Sequence, residues 1–357
     1  MPSRLTIVQT ALPDYRGGFY AELYRLLDTN FSLYGGAHYF EPSVETDNSI
    51  LYKKLENKFL LDNRFLWQRG VRHLALEQGI VVLEMNPRIL SNWWLLYKRK
   101  SKGLKTVLWG HAWPRKGKNS PTDRLRHKMR KLASTIVVYT KKQQEELQEK
   151  MPATHILAAP NALMSSAVMN VAAGKSQHLI YVGRLTPEKK PLFLVQAFKA
   201  CLPDLSPETK LLIVGAGEEQ SKIATFIEKH HLENRVVLYG HISDTKELER
   251  LYASSLLSVS PGYVGLSITQ SFGFGVPMLI SRDEPHSPEI EAAIEGDNVV
   301  FYETDDVVRF RESVKKIFSN REKWIEKRDA ISTYCRERYT VEAMAMVFYK
   351  LTQDNDR

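Results

Sequence analysis

The chain has 357 residues, 43% hydrophobic and 25% charged, which excludes an intrinsically disordered protein and is too long for one ordinary core, so about two domains are expected. No apolar run approaches the ~18 residues of a membrane span, and two cysteines, Cys201 and Cys335, offer neither a disulfide framework nor metal-ligand spacing. The net charge of +9 is uneven: residues 1–160 carry 26 Lys and Arg against 14 Asp and Glu, the remainder 24 against 27.

The opening Met1-Pro2-Ser3-Arg4 leads into Leu5-Thr6-Ile7-Val8-Gln9, too short for a signal peptide and readable as a first core strand. Further apolar runs follow at Phe31–Tyr34, Ile80–Leu83, Thr106–Trp109 and Thr135–Tyr139. Segments of helical length separate them, such as Phe19–Leu27 and Ile89–Tyr97. A second series runs through Leu179–Val182, Leu211–Val214, Val236–Tyr239, Leu256–Val259 and Pro277–Ile280. Strands buried on both faces and separated by helices imply parallel sheets. Two series in tandem imply two doubly wound domains. The small-residue stretch Ala162–Gln177 is the expected linker, and Asp305–Gln353 reads as helices.

From Lys98 to Lys131 Asp123 is the only acid in a run of basic residues. Such a patch suits an anionic partner or serves as a solvated face. Trp93-Trp94-Leu95-Leu96-Tyr97 precedes it, either as a helix lying on an anionic membrane or with its tryptophans in the core.

Ligands of open α/β sheets bind beyond the carboxyl ends of the strands, so the residues after each strand are the candidates. Leu179–Val182 is followed by Gly183-Arg184-Leu185-Thr186-Pro187-Glu188-Lys189-Lys190, two cations on a tight loop before a helix, as an anion site requires. Leu211–Val214 ends in Gly215-Ala216-Gly217-Glu218-Glu219, which lacks the third glycine of a dinucleotide fingerprint. The third strand ends in Gly240-His241-Ile242. The fourth ends in Ser260-Pro261-Gly262-Tyr263-Val264-Gly265-Leu266, whose N–H groups near Gly265 and Leu266 would meet a phosphate where a helix begins.

In this order the segments VGRLTPEKK, LLIVGAGEE, VVLYGHI and SVSPGYVGLSITQSFGFGVPML resemble the C-terminal domain of family 4 glycosyltransferases over about residues 178–303. The first half is similar at Arg16-Gly17-Gly18, TVLWGH, ASTIVVYT and APNAL. The resemblance implies an α/β protein of GT-B fold, two doubly wound Rossmann-like domains facing across a cleft. Its domains would be 1–165 for the acceptor and 176–335 for the nucleotide sugar, with a helix in 336–357 packing back on the first. It implies a retaining, metal-independent transferase moving a sugar from a nucleotide diphosphate sugar to a saccharide or lipid-linked acceptor. Cell-surface polysaccharide or lipopolysaccharide synthesis is the implied setting, at the inner face of the cell membrane.

By the same resemblance Arg184 and Lys189 bind the donor diphosphate, and Ile242 holds the base through its backbone. Val264, Gly265 and Leu266 cap the distal phosphate, which Gly17 and Gly18 let the other domain approach. His111 contacts the transferred sugar, and Arg16 is a candidate for an acceptor pyrophosphate. No cofactor, metal or nucleic acid is expected.

The sequence departs from the family where many members carry two glutamates eight positions apart, here Gly262 and Gln270. Gln270 retains hydrogen-bonding capacity for a ribose; Gly262 has no side chain. Glu289, in His286-Ser287-Pro288-Glu289-Ile290-Glu291-Ala292, either replaces the lost carboxylate or complements a helix dipole. Two alternatives stand: a sugar-nucleotide epimerase of the same architecture, and a basic non-enzymatic protein binding nucleic acid or membrane.

Overall fold

The computed structural model describes residues 3–41, 44–114 and 117–353. Arg115 and Lys116 of the basic stretch, and Met1 and Pro2 of the opening segment, lie outside the described residues. The chain divides into two compact units, Met1–Leu163 with Val341–Arg357, and Met164–Thr340.

The first unit is built on β1 (Leu5–Gln9), β2 (Phe31–Gly35), β3 (Lys53–Lys54), the antiparallel hairpin β4 (Glu56–Leu60) and β5 (Phe65–Arg69), then β6 (Ile80–Glu84), β7 (Thr106–Trp109), β8 (Thr135–Val138) and β9 (His155–Ala158). All but the hairpin form one parallel sheet of order β3-β2-β1-β6-β7-β8-β9. Its central strands are mostly apolar because both faces are covered. Leu5, Ile7, Leu33, Val82 and Ile136 are fully buried, and each contributes roughly 1.5–3 kcal/mol relative to exposure. The helices are α1 (Gly17–Leu27), α2 (Leu90–Lys100), α3 (Asp123–Arg130) and α4 (Lys141–Lys150), the last capped by the Thr140 hydroxyl accepting from the Gln143 N–H.

The second unit carries β10 (His178–Val182), β11 (Leu211–Val214), β12 (Val236–Gly240), β13 (Ser255–Ser260), β14 (Met278–Ser281) and β15 (Val299–Tyr302) in the parallel order β12-β11-β10-β13-β14-β15. Its helices are α5 (Pro191–Cys201), α6 (Gln220–Lys229), α7 (Thr245–Ala253), α8 (Ser267–Gly273), α9 (Val307–Ser319), α10 (Arg321–Glu326) and α11 (Arg328–Arg338). Asp244 and Asp306 cap α7 and α9 through their carboxylates. After a break at Tyr339-Thr340 the chain returns to the first unit as α12 (Val341–Gln353), whose Met344, Ala345 and Phe348 join the α1 face of that core.

Both units are therefore doubly wound α/β domains, and each sheet reverses strand order once, between β1 and β6 and between β10 and β13. The stretch Met164–Gln177 is already part of the second unit: Met164 and Met169 pack against Gly273 so closely that a Cβ there would meet Met164 Cε at 2.6 Å.

The basic stretch is not a uniform surface. Arg99 is fully buried. It donates to the carbonyls of Leu74, Glu77, Gly79 and Lys105 and to the Thr106 hydroxyl, at 2.6–3.0 Å. Arg130 is equally buried and pairs with Asp123 at 2.5 Å. Trp93 and Trp94 pack on the core, with Trp93 Nε1 donating to the Pro87 carbonyl at 3.0 Å, whereas Tyr97 is 67% exposed. The apolar face of α2 is thus committed to the domain interior.

Candidate active site

In the second unit the carboxyl end of β10 turns at Gly183, and the Tyr181 hydroxyl donates to the Arg184 carbonyl at 2.8 Å. This loop is zipped to the one after β11: Leu185 N–H donates to Ala216 O, and Glu219 N–H to Leu185 O, both at 2.9 Å. Gly215 has φ 142°, and a Cβ there would fall 1.8 Å from Gly183 O, so the two loops meet backbone to backbone.

Arg184 is exposed, and its Nη2 donates to the Tyr263 hydroxyl at 3.2 Å. Lys189 is half-buried, its Nζ donating to Tyr263 O at 2.8 Å while lying 3.4 Å from the centre of the Tyr263 ring. Desolvation, then repulsion by Arg184, lowers the Lys189 pKa to about 8, against the opposing charges of Glu289 and Glu188. Lys190 has a different task. It is held at φ 51° just before Pro191 and pairs with Glu284 at 2.6 Å and Asp305 at 2.7 Å.

The loop after β13 completes this arrangement. A Cβ on Gly262 would stand 2.2 Å from Glu188 O, so no side chain fits there and a carboxylate at this position is excluded by packing. Val264 is fully buried, and its N–H, expected to face a phosphate, instead donates to His286 Nδ1 at 3.1 Å. His286 Nε2 in turn donates to Ser281 O at 2.9 Å, which fixes the neutral tautomer and ties this loop to the end of β14. Gly265 and Leu266 follow half-buried and lead into α8, their carbonyls accepting from the Ile268 N–H at 3.2 Å and the Gln270 N–H at 3.1 Å.

Gln270 is buried inside α8, its Oε1 accepting from the Tyr252 hydroxyl at 3.4 Å. Ile242 is half-buried beyond β12. Glu289 is 6% exposed in the short 3-10 segment Pro288–Ala292 and acts electrostatically on Lys189.

In the first unit the ends of four neighbouring strands gather Thr10, Glu84, His111 and Tyr139. Glu84, the last residue of β6, accepts from Thr10 N–H at 2.5 Å and from Thr10 Oγ1 at 3.0 Å. Desolvation raises its pKa to about 7, although the Thr10 donors and Arg16 oppose the shift. His111 lies beyond β7 with its ring edge-on to Tyr139 at 4.8 Å, and it keeps solvent access. Desolvation, then the Arg126 and Arg16 guanidiniums, lowers its pKa to about 4, so the ring is neutral at physiological pH. Arg126 reaches this place by donating to Met85 O at 2.7 Å and His111 O at 3.0 Å.

Arg16 is 7% exposed, 4.9 Å above Trp109, and its Nη2 donates to the Tyr139 hydroxyl at 3.4 Å. Among the described residues no carboxylate lies within 4.0 Å of it. A desolvated cation held by aromatic rings, a tyrosine hydroxyl and the Met344 sulfur at 3.5 Å is suited to receive an anion. Gly17 and Gly18 open α1 with ordinary helical backbone, and a Cβ on either would make only ordinary contacts, at 3.8 Å to Ile50 and 3.5 Å to Val341. Internal packing therefore does not require glycine at either position.

Residues 169–338 match the family model described as glycosyl transferases group 1. The match falls within the second unit, which is thus similar to group 1 glycosyltransferase domains. Poly(glycerol-phosphate) alpha-glucosyltransferase of Bacillus subtilis (strain 168) is 32% identical over 117 residues, which is 32% of this chain but only 17% of that relative's length. Among solved structures, Anabaena HepE in complex with UDP aligns with a TM-score of 0.74 at 13% identity, over 98% of this chain and 100% of its own. The pneumococcal O-GlcNAc transferase GtfA, in complex with UDP and GlcNAc, aligns with a TM-score of 0.69 at 13% identity, over 99% and 100%. Agreement of this extent along both chains shows the GT-B fold.

Within the second unit, sequence reasoning named Arg184, Lys189, Gly262 and Gly265 but gave no role to Tyr263 or His286. In the first unit it passed over Thr10, Glu84 and Arg126. Thr10 and Glu84 were reachable, since both stand where an apolar strand run ends. Arg126 was not, because only the packing of α3 turns one arginine of a basic helix inward.

Proposed function

We propose that this protein is a retaining glycosyltransferase that moves a sugar from a nucleotide diphosphate sugar to a saccharide or lipid-linked saccharide acceptor. The observation that carries this reading is the pair Arg184 and Lys189 on one loop of the second unit, converging on Tyr263 beside the opening of α8. The likeness to proteins crystallised with UDP favours a uridine diphosphate sugar.

In the reaction the bond between the anomeric carbon and the diphosphate oxygen breaks, and a bond to the acceptor oxygen forms on the same face. A donor phosphate oxygen takes the acceptor hydroxyl proton. Arg184, Lys189 and the N–H groups at Gly265 and Leu266 stabilise the charge that develops on the leaving diphosphate, with no metal required. Ile242 holds the base through its backbone, and Gln270 hydrogen-bonds the ribose, exchanging its contact with Tyr252 for it. Glu289 takes the part of the carboxylate excluded at Gly262. On the acceptor side, neutral His111 contacts the transferred sugar, Gly17 and Gly18 admit the distal phosphate, and Arg16 receives an acceptor pyrophosphate. No described helix is long and apolar enough to cross a membrane; peripheral attachment at the inner membrane face would use exposed cations of the basic stretch such as Lys98 and Lys100.

The test is thermal stabilisation by UDP-, GDP- and ADP-linked sugars in the presence of a chelator, with Arg184→Ala alongside. One donor should raise the melting temperature of the wild type and leave the variant unmoved. No shift with any nucleotide would remove the basis of this reading.

A further inference from the structure

The first unit contains a cavity of about 480 Å³ away from the strand-end residues already described, within the roughly 300–1,000 Å³ of small-ligand pockets. Its walls are the segment after β2, with His38, Tyr39, Phe40 and Glu45, and the β4–β5 hairpin, with Phe59 and Asn63. The aromatic wall is prearranged: Phe59 lies 5.0 Å from the His38 ring in a stacked pair and 5.4 Å from Phe40 edge-on.

The hairpin wall is fastened on both sides. Asn57 Nδ2 donates to Thr10 O at 2.8 Å and to His38 O at 2.9 Å, and Gln68 Nε2 donates to Gln9 O at 2.9 Å. At the hairpin tip Arg88 donates to the Asn63 and Arg64 carbonyls. Thr10 is the residue whose N–H and hydroxyl hold Glu84. Tyr39 accepts at its hydroxyl from Asn86 Nδ2 at 3.3 Å, two residues beyond Glu84. The cavity therefore shares its anchoring residues with the strand-end cluster. Its lining carries one acid, Glu45, and one lysine, Lys54, together with the amides of Asn48 and Asn63. Aromatic side chains lined up with neutral amides and one acid fit the alternating C–H and hydroxyl surfaces of an uncharged sugar; a phosphate would find a single cation, Lys54, and an acid beside it in the same lining.

We infer that this cavity is a subsite for a neutral sugar residue of the acceptor, one or more residues removed from the hydroxyl that reacts. The inference rests on the transferase reading for its role, though not for binding itself. The experiment is saturation-transfer NMR of the full chain with maltose, cellobiose, lactose and chitobiose, on the wild type, Asn48→Ala, Glu45→Gln and Arg184→Ala. Asn48 and Glu45 are exposed at the rim, and melting temperatures confirm that the variants fold. The expected result is transfer to at least one disaccharide in the wild type and Arg184→Ala, reduced at least fivefold in the two rim variants, whose UDP-induced thermal shifts are unchanged. Absence of transfer to every disaccharide, or transfer equal in the rim variants and wild type, overturns the subsite. Saccharide binding that maps to the rim in a protein no nucleotide stabilises keeps the binding site and overturns its acceptor role.

Discussion

The Lys189 ammonium donates to the backbone carbonyl of Tyr263 at 2.8 Å while resting 3.4 Å from the centre of that residue's ring. Arg184 reaches the hydroxyl of the same tyrosine at 3.2 Å. One residue thus contacts both cations assigned to the donor diphosphate. A diphosphate has to replace these contacts, and the Tyr263 hydroxyl acts as a competitor of it. Tyr263→Phe keeps the ring and removes the bond to Arg184, a bond of about 0.5–1.5 kcal/mol. It should tighten UDP binding by roughly threefold to tenfold, measured by calorimetry; weaker binding would show instead that the hydroxyl orients Arg184 for the ligand.

The depressed Lys189 pKa gives a pH dependence with a defined sign. Free Lys189 loses its proton around pH 8, whereas a bound diphosphate favours the ammonium and raises its pKa. Binding is therefore independent of pH below about 8 and takes up a proton above it, weakening by up to ~10-fold per pH unit. Lys189→Met should bind more weakly at neutral pH and lose this slope, as calorimetry in buffers of different ionisation enthalpy would reveal.

Glu84 affects stability in the opposite range. Its folded pKa of about 7 lies above the ordinary value of 4.5, so between those values the folded state holds a proton that the unfolded state has released. Its contribution to stability is full below pH 4.5 and declines as the pH rises through 7. The shift corresponds to about 3–4 kcal/mol. The melting temperature of wild type relative to Glu84→Gln should rise as the pH falls from 7 to 4.5, and a difference that stays constant would show that Glu84 does not titrate there.

Gly262 is fixed by sterics, so restoring a carboxylate there does not restore the family's sugar contact. Both Gly262→Ala and Gly262→Glu push Glu188 and Lys189 outward, and overpacking of this kind costs about 1–3 kcal/mol. Melting temperatures should fall for both variants, and donor-induced stabilisation should be lost because Lys189 moves. A Gly262→Glu protein that binds donor as well as wild type would contradict this account.

The apolar runs at Leu5, Ile80, Thr106, Leu211 and Val236 are strands at those places in the structure, because strands buried on both faces of a parallel sheet have little choice of residue type. The GRLTPEKK loop and the glycines after β11 and β13 were legible for a similar reason: backbone-to-backbone contacts such as Gly215 with Gly183 admit no Cβ. The β4–β5 hairpin was not legible. Its Leu61-Asp62-Asn63 turn, with φ of 51°, 50° and 61°, lacks the glycine that marks most hairpins, and its strands are half-exposed. Nor could the sequence separate Arg99, buried under five hydrogen bonds, from the exposed Lys98 and Lys100 beside it, since only helix phase against β7 decides which cation turns inward. The sequence by itself determined the two doubly wound domains and the loop that carries Arg184 and Lys189, where sterics and burial act on neighbouring residues. Only the tertiary structure decided that Tyr263 occupies both cations, that His286 takes the Val264 N–H, and that Glu84 and His111 stand at the carboxyl ends of the adjacent strands β6 and β7, because those groups are placed by strand order and not by spacing.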